Sequence, residues 1–402
     1  MTLTVAKQPA CPGKLPDRAL GTRPEGRPLV AERCPFDSIR PETWDALAAA
    51  NPWSTPFARW GFHRAWWDAY SGSAHDQTLV VVDPSAPAGP PKAIVPLMHR
   101  HAVEPTDEAT HSTMRHGSGA ELTPLAPGAK VIFFGASYHA DYATVLTSPA
   151  DMGAVAEAIA EYLAAPPASD DGHPAPWDVV DLRRLRCGDP TADELAAAFG
   201  RREMAAGWTL NVEREDVCPV LILPPVATFD EYLATLGKKE RHEIRRKVRR
   251  AGAAGDVRLD DSTTPVADLA EFVELHQKRW GSEGLFPSTP GGAASRTFFS
   301  RLFELLGPDG TARLTWLTVG GRRIAAGVHF ETNDGYLYYN AGVDPDAREL
   351  SPGVLMVARF IERAIAAGKR RLDFLRGDEP YKYVWGAVDE PIQRILVRRR
   401  VS

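Results

Sequence analysis

Hydrophobic positions along the chain follow two spacings in turn, and the switches between them mark out its elements. "FARWGFHRAWWDAY" (57–70) is apolar at helical spacing and predicts a helix ending in Trp66 and Trp67. "TLVVVD" (78–83) and "KAIVPLMHR" (92–100) predict two paired strands across a Pro/Gly turn. "KVIFFGA" (130–136) predicts a strand, "ADMGAVAEAIAEYLAA" (150–165) a helix and "WDVVDL" (177–182) another strand. Beyond residue 260 the order returns. "LAEFVELHQKRWG" is helical, and "ARLTWLTV" and "RRIAAGVHFE" flank a Gly-Gly turn at 320–321. "YLYYNAGV" (336–343) is a strand, a helix follows Ser351, and "RRLDFL" closes the run. Two passes through helix, hairpin, strand, helix, strand predict tandem α+β domains at 35–210 and 211–402, the first preceded by a tail at 1–34.

Composition narrows the class. With 402 residues, the chain is long enough for two real cores, and its net charge of −5 gives no overall basic field for nucleic acid. The four cysteines, Cys11, Cys34, Cys187 and Cys218, show neither C-x-x-C nor metal spacing, which predicts no disulfide framework and a reducing compartment. No apolar run reaches the roughly 18–20 residues that span a bilayer. The first 28 residues are rich in Pro, Gly and charge and lack the apolar core of a signal peptide. These features predict a disordered tail on a cytoplasmic protein that does not cross the membrane.

Three stretches carry candidate chemistry. At 351–353, Ser351 can cap a helix, Pro352 fits its first position, and Gly353 leaves the backbone bare; such a helix mouth attracts anions. "KKERHEIRRKVRR" (238–250) holds eight Lys or Arg with Ile244 and Val248 at helical spacing, an amphipathic basic helix partly offset by Glu240 and Glu243. Its Arg245 and Arg249 are candidates for binding an anionic partner: tRNA, a nucleotide-linked sugar or membrane headgroups. Third, Asp373 ends an apolar strand and is followed by Arg376, Asp378, Glu379, Tyr381 and Lys382. Reactive groups collect at such strand ends. His329 and Glu331 leave a neighbouring strand on one face and are an alternative base. Tyr336, Tyr338 and Tyr339 read as core and pocket lining, and Trp60, Trp66 and Trp67 as core. His99, His101, His111 and His116 lack regular ligand spacing, so no metal site is predicted.

These motifs carry a resemblance. "EYLATLGKKERHEIRRKVRRA", "SPGVLM" and "LDFLRGDEPYKYVWG", in that order, make residues 230–386 similar to the acetyltransferase-type domain of the CelD-like family, a branch of the GNAT superfamily. "TPFARWGFHRAWWDAY" and "FFGASYHADY" resemble the first half of the same proteins. The tandem arrangement also resembles the FemABX transferases, which build peptidoglycan cross-bridges from aminoacyl-tRNA. The resemblance implies two GNAT-like domains, each a mixed, largely antiparallel sheet flanked by helices, with the donor cleft in the second. It implies acetyl-CoA or another acyl-CoA as co-substrate, no metal, and an amine acceptor in polysaccharide or envelope metabolism. The acyl-CoA diphosphate would sit at Arg348, Ser351, Pro352, Gly353 and Val354. The superfamily's usual pattern (Arg or Gln, two residues, Gly, one residue, Gly or Ala) is only loosely echoed from Arg348 to Gly353, and Pro352 removes one donor. Acyl transfer needs a proton acceptor and positive charge near the developing oxyanion. Lys382, Asp373 and Tyr381, or His329 and Glu331, are the catalytic candidates. Tyr339, Arg376, Asp378 and Glu379 are the substrate-contacting ones. Lys382 occupies the place of a phosphate- or substrate-contacting lysine in FemABX proteins. An aminoacyl-tRNA-dependent transferase and a non-catalytic binding protein of the same fold stay open as alternatives.

Overall fold

A computed structural model describes residues 28–100, 122–126, 128–137, 139–165, 177–281 and 284–400. Residues 1–27 of the expected tail, His101, His111 and His116, and most of the low-complexity stretch at 164–172 lie outside them. The first half runs β1 (Val30–Arg33), α1 (Pro41–Ala50), α2 (Trp60–Tyr70), β2 (His75–Asp76), β3 (Leu79–Val82), β4 (Ala93–Val95), β5 (Leu97–Arg100), β6 (Val131–Phe134), β7 (Leu146–Thr147), α3 (Met152–Ala164), β8 (Val179–Arg186), α4 (Pro190–Ala206) and β9 (Trp208–Ile222). The second runs α5 (Phe229–Thr235), α6 (Lys238–Ala254), β10 (Val257–Asp261), α7 (Pro265–Trp280), α8 (Pro290–Leu306), β11 (Ala312–Val319), β12 (Arg322–Glu331), β13 (Gly335–Val343), α9 (Pro352–Ala366), β14 (Arg371–Asp373), α10 (Pro380–Tyr383) and β15 (Val388–Arg399).

The expected repeat of elements is present and the fold is α+β, with antiparallel pairs dominating. Eleven strands form one sheet in the order β10-β11-β12-β13-β14-β9-β15-β8-β6-β5-β2, and β1-β3-β4-β7 form a second, smaller one. "KAIVPLMHR" is not one strand. Pro96 cannot donate to a ladder, and the chain changes sheet there, β4 joining the small sheet and β5 the large. Helices α1, α4 and α8 and strands β1, β10 and β15 add to the elements expected. Helix α4 has clear local causes: Asp189 accepts from the Thr191 N–H at its start, Pro190 takes the first position, and Gly207 ends it at φ 66°.

The same local geometry occurs once in each half. Strands β6 and β8 are parallel neighbours through Val131–Val179, Ile132–Val180 and Phe133–Asp181. Strands β13 and β14 are parallel neighbours through Gly335–Arg371, Tyr336–Leu372 and Leu337–Asp373. Each pair is connected by one helix, α3 or α9. Past each aspartate the chain takes a left-handed turn, at Arg184 (φ 66°) or Leu375 (φ 57°). It then reaches a glycine with positive φ, Gly188 or Gly377, a buried aspartate, Asp189 or Asp378, and a proline that opens a helix.

The last strand of each half is exchanged. Strand β9 pairs with β14 of the second half, β15 pairs with β8 of the first, and β9 and β15 lie antiparallel side by side from Trp208–Arg399 to Val220–Val388. Strand β9 thus runs through the boundary expected near 210. The halves also share an aromatic core, in which Phe57, Phe62, Trp66, Phe298 and Phe330 are buried. Cys34 and Cys218 are free thiols, whereas Cys187 is disulfide-bonded, a departure from the expectation of four separate thiols. No helix among the described residues is long and apolar enough to cross a membrane.

The exchange is locked by a buried ion pair. Arg394 on β15, fully buried, holds Asp181 on β8 in a two-pronged bond (Nε–Oδ1 2.6 Å, Nη2–Oδ2 2.9 Å) and reaches Glu213 on β9 at 3.1 Å. Removing one partner of such a pair strands the other charge in the interior. Replacing Arg394 by Met should lower the unfolding free energy by about 3–5 kcal/mol in urea denaturation; no loss would mean that Asp181 is neutralised by Arg183 alone.

Candidate active site

Strands β13 and β14 touch for three residues and then part. Past Leu337–Asp373, β13 continues to Val343 beside β12 alone. At the divergence β13 bulges: Asn340 pairs with Val328 and Tyr338 with His329, which leaves Tyr339 without an opposite residue. A bulge re-aims side chains, so a cleft opens where the strands part; on its β14 side the Phe374 and Gly377 N–H groups turn to the Pro219 and Val217 carbonyls, each at 3.0 Å. Tyr338, Phe374 and Tyr381 line one face of the parting, edge to face, at 6.4 Å and 6.2 Å between ring centres. Burial pushes the Tyr338 hydroxyl up to about 12, which keeps it a neutral donor.

Helix α9 opens at this cleft. Ser351 takes a left-handed conformation (φ 57°, ψ 56°), its carbonyl accepts from the Val354 and Leu355 N–H groups, and its side chain does not cap the helix. Pro352 is buried and Gly353 exposed, with nothing within 4 Å of where a Cβ would stand. The basic stretch is helix α6, as predicted, and it leads to the same place: Arg250 Nη2 donates to Ser351 Oγ at 3.0 Å. Of its other cations, Arg245 pairs with Asp230, while Arg246 and Lys247 share Glu243; Arg249 is exposed, as is Arg348 beside the mouth. The sequence marks Arg245 and Arg249 as the binding candidates and Arg250 only as one cation of the run, where seven similar side chains hide the one that reaches Ser351.

The loop after β14 is held from inside. Lys382 is 2% exposed, and its ammonium donates to the carbonyls of Leu375 (3.1 Å), Arg376 (2.9 Å) and Gly377 (2.9 Å) while pairing with Glu379 at 2.9 Å. All its donors face the loop, and none faces the cleft. Asp373, also 2% exposed, accepts from the Leu375 N–H at 2.9 Å, from the Tyr142 hydroxyl at 2.9 Å, and from Arg371 at 3.4 Å. Burial raises its pKa against the opposing pull of Arg371. Arg376 pairs with Asp141 of the first half at 3.3 Å, and Asp378 is buried. Tyr381 stays partly exposed beside Phe374.

The remaining candidates lie elsewhere. His329 is fully buried, bonded through Nδ1 to Thr315 at 3.2 Å and packed edge-on against Tyr336 and Phe360 under α9. Glu331 pairs with Lys369 at 3.1 Å and Arg313 at 3.3 Å, so the two do not converge. Tyr339 faces the first half, donating to the His139 carbonyl at 2.9 Å. Among the described residues no group of three or more His, Cys, Asp or Glu is arranged to hold a metal ion.

Two measurements follow from these placements. Lys382→Met leaves three carbonyls and Glu379 without a partner, and should cost about 3–5 kcal/mol of stability and loosen hydrogen-exchange protection at 374–379; an unchanged melting temperature would show that the ammonium is not a clamp. Burial also drops His63, His139 and His329 to about 3 each. A depressed imidazole stabilises the fold above the unfolded value near 6.5 and loses that contribution as pH falls from there toward 3. Urea midpoints should therefore decline from pH 6.5 to 4, less steeply in His329→Phe.

Residues 238–383 match the family model described as an acetyltransferase (GNAT) domain. The crystal structure of FemX is similar to this chain at 11% identity, covering 88% of it and 96% of the FemX chain, with a TM-score of 0.55. A conserved protein of unknown function from Bacteroides thetaiotaomicron is similar at 12% identity, over 90% of this chain and 98% of its own, with a TM-score of 0.51. No curated protein sequence matches the chain. At such identities the structures show shared fold alone. Residues 238–383, from the basic helix through the Lys382 loop, match a GNAT acetyltransferase domain, within a chain whose fold is similar to that of FemX.

Proposed function

We propose that the protein is an N-acyltransferase that moves an acyl group, acetyl in the first instance, from acyl-CoA to an amine. The observation that carries this reading is a difference between two equivalent helix mouths. Helix α3 opens on Asp151, whose carboxylate accepts from the Ser148 hydroxyl at 2.8 Å and caps no helix N–H, so a negative charge stands beside its positive end. Helix α9 opens on Ser351 and bare Gly353, with Arg250 alongside and Arg348 one turn of chain away. A diphosphate is favoured at the second mouth by amides, dipole and guanidinium together, and repelled at the first.

In the reaction, the amine nitrogen attacks the thioester carbonyl, a C–N bond forms, the C–S bond breaks, and CoA leaves as the thiol after taking up a proton. The parting of β13 and β14 is the place for the acyl arm, with Tyr338 and Tyr381 as hydroxyl donors along it. Lys382 acts at one remove, shaping the loop that carries Arg376 and Asp378. Resemblance to the CelD-like proteins points to an amine on polysaccharide or envelope material, reached in the cytoplasm, with 35–210 as the supporting domain and 211–402 as the donor-binding one. Charged tRNA is a second reading, favoured by the run of cations on α6 beside the same mouth.

Calorimetry decides between them. Acetyl-CoA should bind the wild-type protein, and Gly353→Asp should abolish binding through charge and bulk without unfolding the chain. Arg250→Gln should weaken binding about 10-fold and flatten its salt dependence, as loss of one charge-assisted contact does. Unchanged affinity in Gly353→Asp would remove the donor from α9, and tight binding of charged tRNA without acetyl-CoA binding would favour the second reading.

A further inference from the structure

The two halves hold the same aspartate in different company. Asp181 and Asp373 each close a three-residue parallel pairing, and each lies beside an exchanged strand, opposite Leu396 of β15 or Val220 of β9. Two residues before those partners, on the same face, stand Arg394 in the first case and Cys218 in the second. Arg394 grips Asp181 with two hydrogen bonds. Cys218, fully buried, has no charge to offer, and burial together with Asp373 pushes its thiol well above the ordinary range. The position that carries the neutralising guanidinium in one half is filled by a thiol in the other.

Asp373 is left with weaker partners. Arg371 stands at 3.4 Å and divides its Nη2 with Glu390, at 3.1 Å. The Tyr142 hydroxyl, at 2.9 Å, comes from the first half, on the loop between β6 and α3, where Arg186 lies over the phenol ring at 4.9 Å. Tyr142 also lines a small cavity together with Trp53, Phe57 and His63. Arg371 and Glu390 from β14 and β15, Tyr142 from the first half and Cys218 from β9 are the charged and titratable groups facing the carboxyl. Asp141 and Lys382 act on Cys218 from farther off.

We propose that the acyl-transfer site is built across both halves, with Asp373 of the second as the proton-accepting carboxylate, Tyr142 of the first as the residue that positions it, and Cys218 as the substitution that spares it a two-pronged arginine and leaves only the longer, shared contact with Arg371. This rests on the acyltransferase reading above. The proton that the acceptor amine gives up as its C–N bond forms passes to Asp373, while the departing thiolate takes its proton from solvent water. A carboxylate buried without a full counter-charge burdens the fold, as groups kept for function do, whereas one gripped by arginine supports it.

That contrast gives the test. At pH 8, Asp181→Asn should melt at least about 5 °C below wild type, having stranded Arg394, while Asp373→Asn should melt at or above wild type. Because the Asp373 pKa is raised on folding, its contribution is present at low pH and lost as pH rises through the folded value. The advantage of Asp373→Asn should therefore grow from pH 4 upward and level off. In a Tyr142→Phe background the midpoint of that growth should move to higher pH, since the lost hydroxyl had favoured the charged form. Acetyl-CoA affinity in Asp373→Asn should equal that of wild type. A fall in melting temperature for Asp373→Asn matching that of Asp181→Asn, or a midpoint that ignores Tyr142→Phe, overturns the proposal. A wild-type protein that binds no acetyl-CoA defeats the donor reading instead, and leaves the melting results to be judged on their own.

Discussion

Everything else in the molecule is arranged around the antiparallel pairing of β9 with β15. Each of these strands ends one half of the chain and completes the sheet of the other, so an eleven-stranded sheet with no break at its centre replaces two smaller ones. A central ladder of this length removes two edges that would otherwise be open to pairing with other chains. It also sets the distance between the halves, which is why side chains of the first half, Tyr142 and Asp141, can meet Asp373 and Arg376 of the second.

Within that frame the halves have diverged in charge while keeping their backbone. The first has spent its equivalent positions on structure, with an acidic residue at its helix mouth and an arginine on its aspartate. The second keeps a helix mouth without a carboxylate, beside Arg250, and an aspartate with only partial support. The internal copy acts as a control for what each position does when it serves stability alone. Few structures carry their own reference state in this way, and it lets single residues be read without knowledge of the substrate.

Strands β11 and β12 were legible in the sequence to the residue, because "ARLTWLTV" and "RRIAAGVHFE" are short apolar runs divided by a Gly-Gly turn. The start of α9 at Pro352 was equally plain, although the Ser351 side chain, read as a cap, bonds no helix N–H. Strand β15 escaped notice since "VDEPIQRILVRR" mixes charges into a run that is central rather than peripheral; its arginine is buried against a partner more than two hundred residues away, and no local pattern announces that. The site was legible in its parts. The mouth at 351–353 and the cluster from Asp373 to Lys382 were named, but the orientation of Lys382 toward its own loop and of His329 into the core depends on burial that spacing does not encode. Tyr142 lay in a stretch noted for its resemblance, with nothing to mark its hydroxyl.

The exchange of terminal strands also governs the order in which the protein can be made. Strand β8 is finished by residue 186, yet its neighbour β15 does not begin until residue 388, so the first half leaves the ribosome with one side of its sheet uncovered. Asp181 waits through the same interval for Arg394. The pairing that unites the sheet joins segments far apart in sequence, which makes closure slow and leaves an apolar strand edge exposed during synthesis. A newly made first half is thus a natural client for chaperones. Two nascent copies can satisfy each other's edges before either is complete, so the architecture that joins two halves into one sheet also carries a route to swapped dimers.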